Sequence, residues 1–72
     1  MSHKIDARGL ACPQPVLLTM EAIKTTSDSQ IEVLVDNEAS RENVSRAALT
    51  QGWEVAASEE TGDDFKIVIK KQ

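Results

Sequence analysis

The sequence is poor in cysteine and in aromatic residues, with one cysteine, one tryptophan, one phenylalanine and no tyrosine among its 72 residues. A single cysteine excludes an internal disulfide, and without a Cys-x-x-Cys pair or a Cys/His cluster there is no candidate for a structural zinc site. The fold must therefore be stabilised by side-chain packing alone, and we expect neither a metal nor a cofactor.

Long apolar runs and an excess of positive charge are also missing. No run approaches the roughly 20 residues of a membrane-spanning helix, and the first eight residues lack the apolar segment of a signal peptide. Twelve acidic against eight basic residues give a net charge of -4, which repels nucleic-acid phosphates and anionic lipids. We expect a cytoplasmic protein that binds neither nucleic acid nor membrane, and whose partners are proteins or small molecules.

The length of the chain leaves room for one domain. A chain of this size buries only about 60% of the surface that its unfolded form exposes, so an active site must lie close to the surface. The sequence contains no internal repeat and no linker rich in glycine, serine or proline. We therefore expect a single domain over residues 1–72, and its small size and polar outer face favour a monomer.

Hydrophobic periodicity predicts the element order β-α-β-α-β-β. Apolar and polar residues alternate over residues 4–7, 31–35, 53–57 and 65–70, which predicts four strands. Helical spacing predicts one helix with a core-facing stripe and a second with a small-residue face. The two sets are Val16, Leu17, Met20 and Ile23, followed by Ala39, Val44, Ala47 and Ala48. Asp36, Asn37 and Ser40 are candidate caps of the second helix, and Gly52 suits its C-terminal end.

This pattern predicts an α/β (α+β) two-layer sandwich, in which a four-stranded mixed sheet carries both helices on one face. The other face should be exposed to solvent, with Leu34 and Val68 as isolated apolar side chains. We expect Trp53 to pack at the seam between helix and sheet. Gly62 predicts a hairpin turn, and four carboxylates around it are expected to be solvated rather than to bind a metal. They are Glu59, Glu60, Asp63 and Asp64.

Cys12 is the strongest nucleophile that the sequence offers. Two nearby prolines, Pro13 and Pro15, are tolerated together in the first turn of a helix, which puts Cys12 at or beside a helix N-terminus. The unpaired N–H groups and the dipole there lower a thiol pKa. Further positive potential could come from cations of the preceding segment, which are His3, Lys4 and Arg8.

A free cysteine is most often a small buried side chain. At a strand-to-helix junction, however, a cysteine between Gly9 and two prolines is more typical of an exposed, reactive thiol. Gly9 should permit a close approach of the loop, and Pro13 should stiffen it. With no second cysteine to resolve a mixed disulfide, a dithiol oxidoreductase of the thioredoxin kind is excluded.

One segment resembles the signature of the TusA/SirA-like family of sulfur-carrier proteins, whose hallmark is Cys-Pro-x-Pro. The segment reads Asp6-Ala7-Arg8-Gly9-Leu10-Ala11-Cys12-Pro13-Gln14-Pro15-Val16. The resemblance extends over nearly the whole chain, including the acidic turn at Asp36, and is nearest to the N-terminal domain of YedF-like proteins linked to selenium metabolism. Many members have Asp-Pro where this chain has Asn37 and Glu38.

The resemblance implies that Cys12 accepts a sulfane sulfur as a persulfide from a cysteine desulfurase or rhodanese-like donor and passes it to an acceptor protein. Selenium is a variant cargo. Such a protein is a covalent carrier rather than an independently turning-over enzyme. The motif implies positioning roles for Arg8, Gly9, Leu10, Pro13 and Pro15. Chain order adds three candidate partner contacts, which are Gln14, Leu17 and Asp36.

Two alternatives remain open at this point. A partner-binding or regulatory module of the same fold could use the surface around residues 9–16 without covalent chemistry. Nucleic-acid binding is a third hypothesis, because the sandwich resembles the C-terminal domain of a bacterial translation initiation factor. The acidic balance and the absence of a basic stripe with interleaved aromatics disfavour it.

Overall fold

The computed structural model describes residues 3–10 and 14–71 and contains the predicted element order. The four strands are β1 (His3–Asp6), β2 (Gln30–Val35), β3 (Trp53–Thr61) and β4 (Asp64–Lys71). The two helices are α1 (Gln14–Thr25), between β1 and β2, and α2 (Glu38–Thr50), between β2 and β3. The strand boundaries fall within one residue of their predictions, except that β3 continues to Thr61, four residues beyond its predicted end.

The strands form one mixed sheet in the order β1-β2-β4-β3. β1 pairs in parallel with β2, whereas β4 is antiparallel to both of its neighbours. β1, β2 and β3 therefore run in one direction and β4 runs in the other. As a consequence, β1 and β2 end at the same edge of the sheet at which β4 begins.

Both helices cover one face of this sheet, as predicted for a two-layer sandwich. They contact each other, and their buried residues join those of β2 and β4 in a single core. The largest fully buried apolar side chains are Ile31, Val33, Val35, Val44, Ile67 and Ile69. Trp53 is only 4% exposed and belongs to this core, which confirms its predicted packing role. Within the described ranges, neither helix is long and apolar enough to span a membrane.

The buried face of α1 differs from the predicted stripe. Its fully or nearly buried residues are Pro15, Thr19 and Ala22, whereas Leu17 is 55% exposed. Three of the predicted core residues, Val16, Met20 and Ile23, are only half-buried. The partly buried Leu18 and Ile23 also pack against the core. The buried Thr19 hydroxyl is satisfied within the helix, because it donates to the carbonyl oxygen of Pro15 at 2.8 Å.

The start of α2 is capped by Asn37, one of three candidates from the sequence. Its side-chain oxygen accepts a hydrogen bond from the Ser40 backbone N–H at 2.7 Å, and its backbone is extended. Ser40 therefore lies inside the helix and is buried, while Ala39, predicted to face the core, is exposed. Glu38 occupies the first helical position, where negative charge is favourable.

The outer face of the sheet is largely polar, but its two apolar side chains are less exposed than predicted. Glu32 lies between Lys4 and Lys66, with N–O distances of 3.9 and 3.8 Å. Val68 is only 9% exposed, and Leu34 is half-buried. Val68 is covered because β4 is a central strand, so residues of both neighbouring strands flank it on this face.

Candidate functional site

Three aspartates meet at the edge where β1 and β2 end and β4 begins. Asp6 is the last residue of β1, Asp36 follows the last residue of β2, and Asp64 is the first residue of β4. The antiparallel placement of β4 beside β2 brings these three distant parts of the chain together. We call these residues the carboxylate edge. The segment that leads towards Cys12, residues 7–10, starts here, and we call it the approach segment.

Arg8 joins two members of the carboxylate edge. Its Nε and Nη2 donate to the two carboxylate oxygens of Asp6 at 2.9 and 2.8 Å, and its Nη1 donates to Oδ2 of Asp64 at 3.1 Å. The side-chain hydrogen bond from Arg8, assisted by the Arg8 backbone N–H, lowers the pKa of Asp6 from 3.8 to about 2. The same bond to Asp6, followed by the bond to Asp64, raises the pKa of Arg8. Both groups are therefore charged throughout the physiological range.

Gly9 is held by Asp36, the third residue of the carboxylate edge. Its backbone N–H donates to Oδ2 of Asp36 at 2.7 Å, a short, charge-assisted hydrogen bond. Gly9 has a φ of 77°, in the left-handed region that glycine adopts at no steric cost. A β-carbon at this position would meet no atom within 4 Å, so glycine is required here for its conformation. The predicted close approach of the loop is wrong for the described residues.

Arg8, Gly9 and the carboxylate edge line an open cavity of about 560 Å³. Three carboxylates against one guanidinium leave this cavity with a formal charge of −2. The cavity is therefore polar and open to solvent. Among residues 3–10 and 14–71, no group of three or more histidine, cysteine or acidic side chains is arranged to hold a metal ion.

The described motif residues lie on both sides of residues 11–13. Leu10 is 37% exposed at the end of the approach segment, and Gln14 is exposed at the first position of α1. Pro15 is buried at the second position, and Leu17 is exposed two residues further on. Cys12 and Pro13 themselves lie outside the described residues. The predicted contact residues Gln14 and Leu17 are thus accessible, and the exposed Asp36 is engaged with Gly9.

The cations expected near Cys12 are distributed differently from the prediction. His3 and Lys4 lie at the start of β1, at the opposite edge of the sheet from the approach segment, and Lys4 faces Glu32. Arg8 does lie in the approach segment, but Asp6 and Asp64 offset its charge. The described residues around the approach segment therefore supply more negative than positive charge.

Sequence reasoning missed the role of Asp64. It was one of four carboxylates assigned to a solvated turn, yet it accepts a hydrogen bond from Arg8, 56 positions away. From the sequence, Asp6 stands out only as part of the family signature, although both of its carboxylate oxygens accept hydrogen bonds from Arg8. The sequence places Asp64 in the hairpin turn, and no local signal indicates which strand lies beside the start of β4.

Comparison with known proteins shows the family. The family model of the sulfurtransferase TusA matches residues 3–71. A Methanocaldococcus jannaschii protein named as a candidate sulfur carrier is 41% identical over 69 residues, covering 94% of this chain and 92% of the relative. The sulfur carrier protein TusA of Allochromatium vinosum is 32% identical over 70 residues, covering 96% of this chain and 92% of the relative.

A solved structure agrees with these matches. The crystal structure of a SirA-like protein from Desulfitobacterium hafniense has a TM-score of 0.82 and 30% sequence identity to this chain. The match covers 97% of this chain and 96% of that one, so the whole sandwich is shared. The predicted TusA/SirA-like resemblance is confirmed, and the chain belongs to the TusA family of sulfur carriers.

Proposed function

We propose that this protein is a persulfide carrier in which Cys12 accepts a sulfane sulfur from a donor protein and hands it to an acceptor protein. The observation that carries the proposal is membership of the TusA family, matched over residues 3–71, in a chain whose only cysteine is Cys12. The donor is a cysteine desulfurase or a rhodanese-like protein. A reducing cytoplasm suits this role because it keeps the thiol free between transfers.

The transfer is a thiol exchange at sulfur. The Cys12 thiolate attacks the outer sulfur of the donor persulfide, a new S–S bond forms on Cys12, and the donor cysteine leaves as a thiolate. In the second step, a nucleophile of the acceptor attacks the outer sulfur and Cys12 leaves as the thiolate. No electrons are gained or lost overall, so one cysteine suffices. Selenium is a variant cargo of the same exchange.

The N-terminus of α1 supports thiolate formation in this proposal. The helix begins at Gln14, two residues after Cys12 in the sequence, and the first N–H groups of a helix favour nearby negative charge. Of the cations expected near Cys12, Arg8 forms ion pairs with Asp6 and Asp64, and Lys4 forms one with Glu32. We therefore assign activation of the thiol to the helix N-terminus rather than to a neighbouring cationic side chain.

Partner proteins would contact the surface around residues 11–13. Leu10 and Leu17 offer exposed apolar side chains there, and Gln14 offers a polar one. The adjoining carboxylate edge favours a partner with a basic rim, because like charges across an interface are costly. In this proposal the carrier acts as one domain over residues 1–72 and as a monomer, so that a donor active site can close over it.

The test is intact-protein mass spectrometry under non-reducing conditions after incubation with a cysteine desulfurase and free cysteine. We expect one added sulfur atom in the wild-type protein, removed by reductant, and none in Cys12→Ser. Equal loading of the serine variant would refute the proposal. Absence of any adduct with desulfurase and rhodanese donors alike would favour the non-covalent binding module instead. Repeating the assay with a selenium donor distinguishes the two cargoes.

A further inference from the structure

The approach segment is fixed at three successive residues. The Ala7 backbone N–H donates to the carbonyl oxygen of Leu34 at 2.8 Å, which extends the pairing of β1 with β2. The Arg8 backbone N–H donates to Asp6 at 3.2 Å. Gly9 then donates to Asp36 at 2.7 Å, the shortest of the three bonds. The last of these anchors comes three residues before Cys12 in the sequence.

The Asp36 bond differs from the other two because it constrains the point at which the chain turns. The segment leaves the β1 direction at Gly9, where φ is positive, and only one hydrogen bond described at Gly9 connects it to another element. Asp36 is itself fixed, since its Oδ1 accepts from the side-chain amide of Asn37, the cap of α2. The end of β2 and the start of α2 thus determine the direction of the approach segment.

We propose that Asp36 is a positioning residue for sulfur transfer, which acts through the Gly9 backbone to fix the direction of the approach segment that leads to Cys12. This inference rests on the proposed function and changes the role expected for Asp36, which the sequence placed among the partner contacts. Transfer between two proteins requires the attacking sulfur to be aligned with the donor S–S bond, so a loosely held segment lowers the rate. Asp36 touches neither sulfur in this role.

The test compares Asp36→Ala with Asp36→Asn. Asparagine keeps a carbonyl oxygen that can accept the Gly9 N–H, whereas alanine has no acceptor. We expect exchange of the Gly9 amide hydrogen, followed by NMR, to accelerate at least about tenfold in Asp36→Ala and much less in Asp36→Asn. The rate of sulfur loading from a cysteine desulfurase should fall about tenfold in Asp36→Ala and remain within about threefold of wild type in Asp36→Asn.

Two further measurements separate positioning from other roles. Both substitutions remove a negative charge, so a purely electrostatic role would change the Cys12 thiol pKa and the loading rate equally in the two variants. The thiol pKa is read from the pH dependence of alkylation. Asp63→Ala is the matched control, because Asp63 is an exposed carboxylate of the hairpin turn at the same edge. We expect it to load sulfur at the wild-type rate.

Equal losses of the sulfur-loading rate in Asp36→Asn and Asp36→Ala would overturn the inference. Loading of Asp36→Ala at the wild-type rate would also overturn it. If Asp36→Ala does not fold, Asp36→Asn alone is measured. A loss of sulfur loading in Asp36→Asn while its Gly9 amide exchanges at the wild-type rate would also overturn the inference. If the wild-type protein takes up no sulfur from any donor, the proposed function fails separately. The positioning role is then tested by the exchange rate of the Gly9 amide and by the alkylation rate of Cys12. Both rates must change in Asp36→Ala, and both must stay close to wild type in Asp36→Asn.

Discussion

Arg8 and Asp64 are 56 positions apart in the sequence, yet Nη1 of Arg8 donates to Oδ2 of Asp64 at 3.1 Å. Asp64 begins β4, and Arg8 follows the end of β1. Because β2 lies between β1 and β4 in the sheet, this contact spans the end of β2. The same guanidinium binds Asp6 through two further donors. Arg8 therefore ties the segment before Cys12 to two strands and leaves little of its own charge uncompensated.

Replacing Arg8 with glutamine should raise the pKa of Asp6. In the wild-type protein, the Arg8 hydrogen bonds hold this pKa at about 2, below its usual 3.8. A lowered folded-state pKa stabilises the protein above the unfolded pKa, and the contribution is lost as the pH falls through the folded pKa. The ion pair therefore contributes fully above about pH 4 and loses its contribution between about pH 4 and pH 2. An NMR titration of the Asp6 carboxyl in Arg8→Gln should have a midpoint clearly above 2 but below 3.8, because the backbone N–H of position 8 still donates to this carboxylate.

Arg46→Gln is the control for this experiment. Arg46 pairs with Glu42 on the surface of α2, and its side chain is 70% exposed. This substitution removes the same charge without touching the carboxylate edge, so the Asp6 midpoint should stay near 2. An Asp6 midpoint that is unchanged in Arg8→Gln would show that Arg8 does not control this carboxylate.

Substituting Gly9 with alanine should destabilise the fold and also slow sulfur loading. An L-residue at a φ of 77° costs about 1–2 kcal/mol, and the open space around Gly9 adds no steric penalty. Gly52 offers a matched control, because its φ is 80° and its surroundings are equally open. Gly52 follows α2 at the opposite edge of the sheet.

Urea unfolding should therefore show similar losses of unfolding free energy for Gly9→Ala and Gly52→Ala, about 1–2 kcal/mol each. Sulfur loading of the folded proteins should fall only in Gly9→Ala, because alanine disfavours the positive φ with which the residue 9 N–H reaches Asp36. Similar loading rates in the two variants would mean that the conformation of Gly9 matters for folding alone.

Replacing Asn37 with alanine should cost about 1 kcal/mol, the usual value of an N-cap. The Asn37 side chain accepts the Ser40 N–H at 2.7 Å, and Asn37→Asp should retain most of this stability because aspartate is an equally good cap. The buried Trp53 reports unfolding by fluorescence, since it is the only tryptophan and is 4% exposed. If Asn37→Ala unfolds at the wild-type urea concentration, the cap contributes nothing measurable.

The sequence predicted local features better than contacts between distant elements. The Asn37 cap, the glycine turns and the alternating strands depend on neighbouring residues, and the structure contains them. The Arg8–Asp64 bond depends on the placement of β4 beside β2, which periodicity does not specify. The predicted stripe of α1 is right for Ile23, which packs against the core, and wrong for the exposed Leu17, because several rows of apolar residues run along this helix. Packing against the sheet selected the row containing Thr19 and left Leu17 exposed.

The exposed position of Leu17 allows a direct test of partner docking. Leu17 is the fourth residue of α1, five positions after Cys12 in the sequence, and is 55% exposed. Leu49 is 59% exposed but lies near the end of α2, which carries it to the opposite edge of the sheet. An aspartate at either position should leave the free energy of unfolding within about 0.5 kcal/mol, because neither leucine is buried.

Binding of a cysteine desulfurase, measured by isothermal titration calorimetry, should separate the two leucines. We expect Leu17→Asp to weaken binding at least about tenfold, since an apolar contact would become a charge that must be desolvated on docking. Leu49→Asp should bind like the wild-type protein, because its added charge lies far from the approach segment. Equal weakening in both variants would point to a general effect of the added negative charge, and wild-type binding by Leu17→Asp would place the donor on another surface.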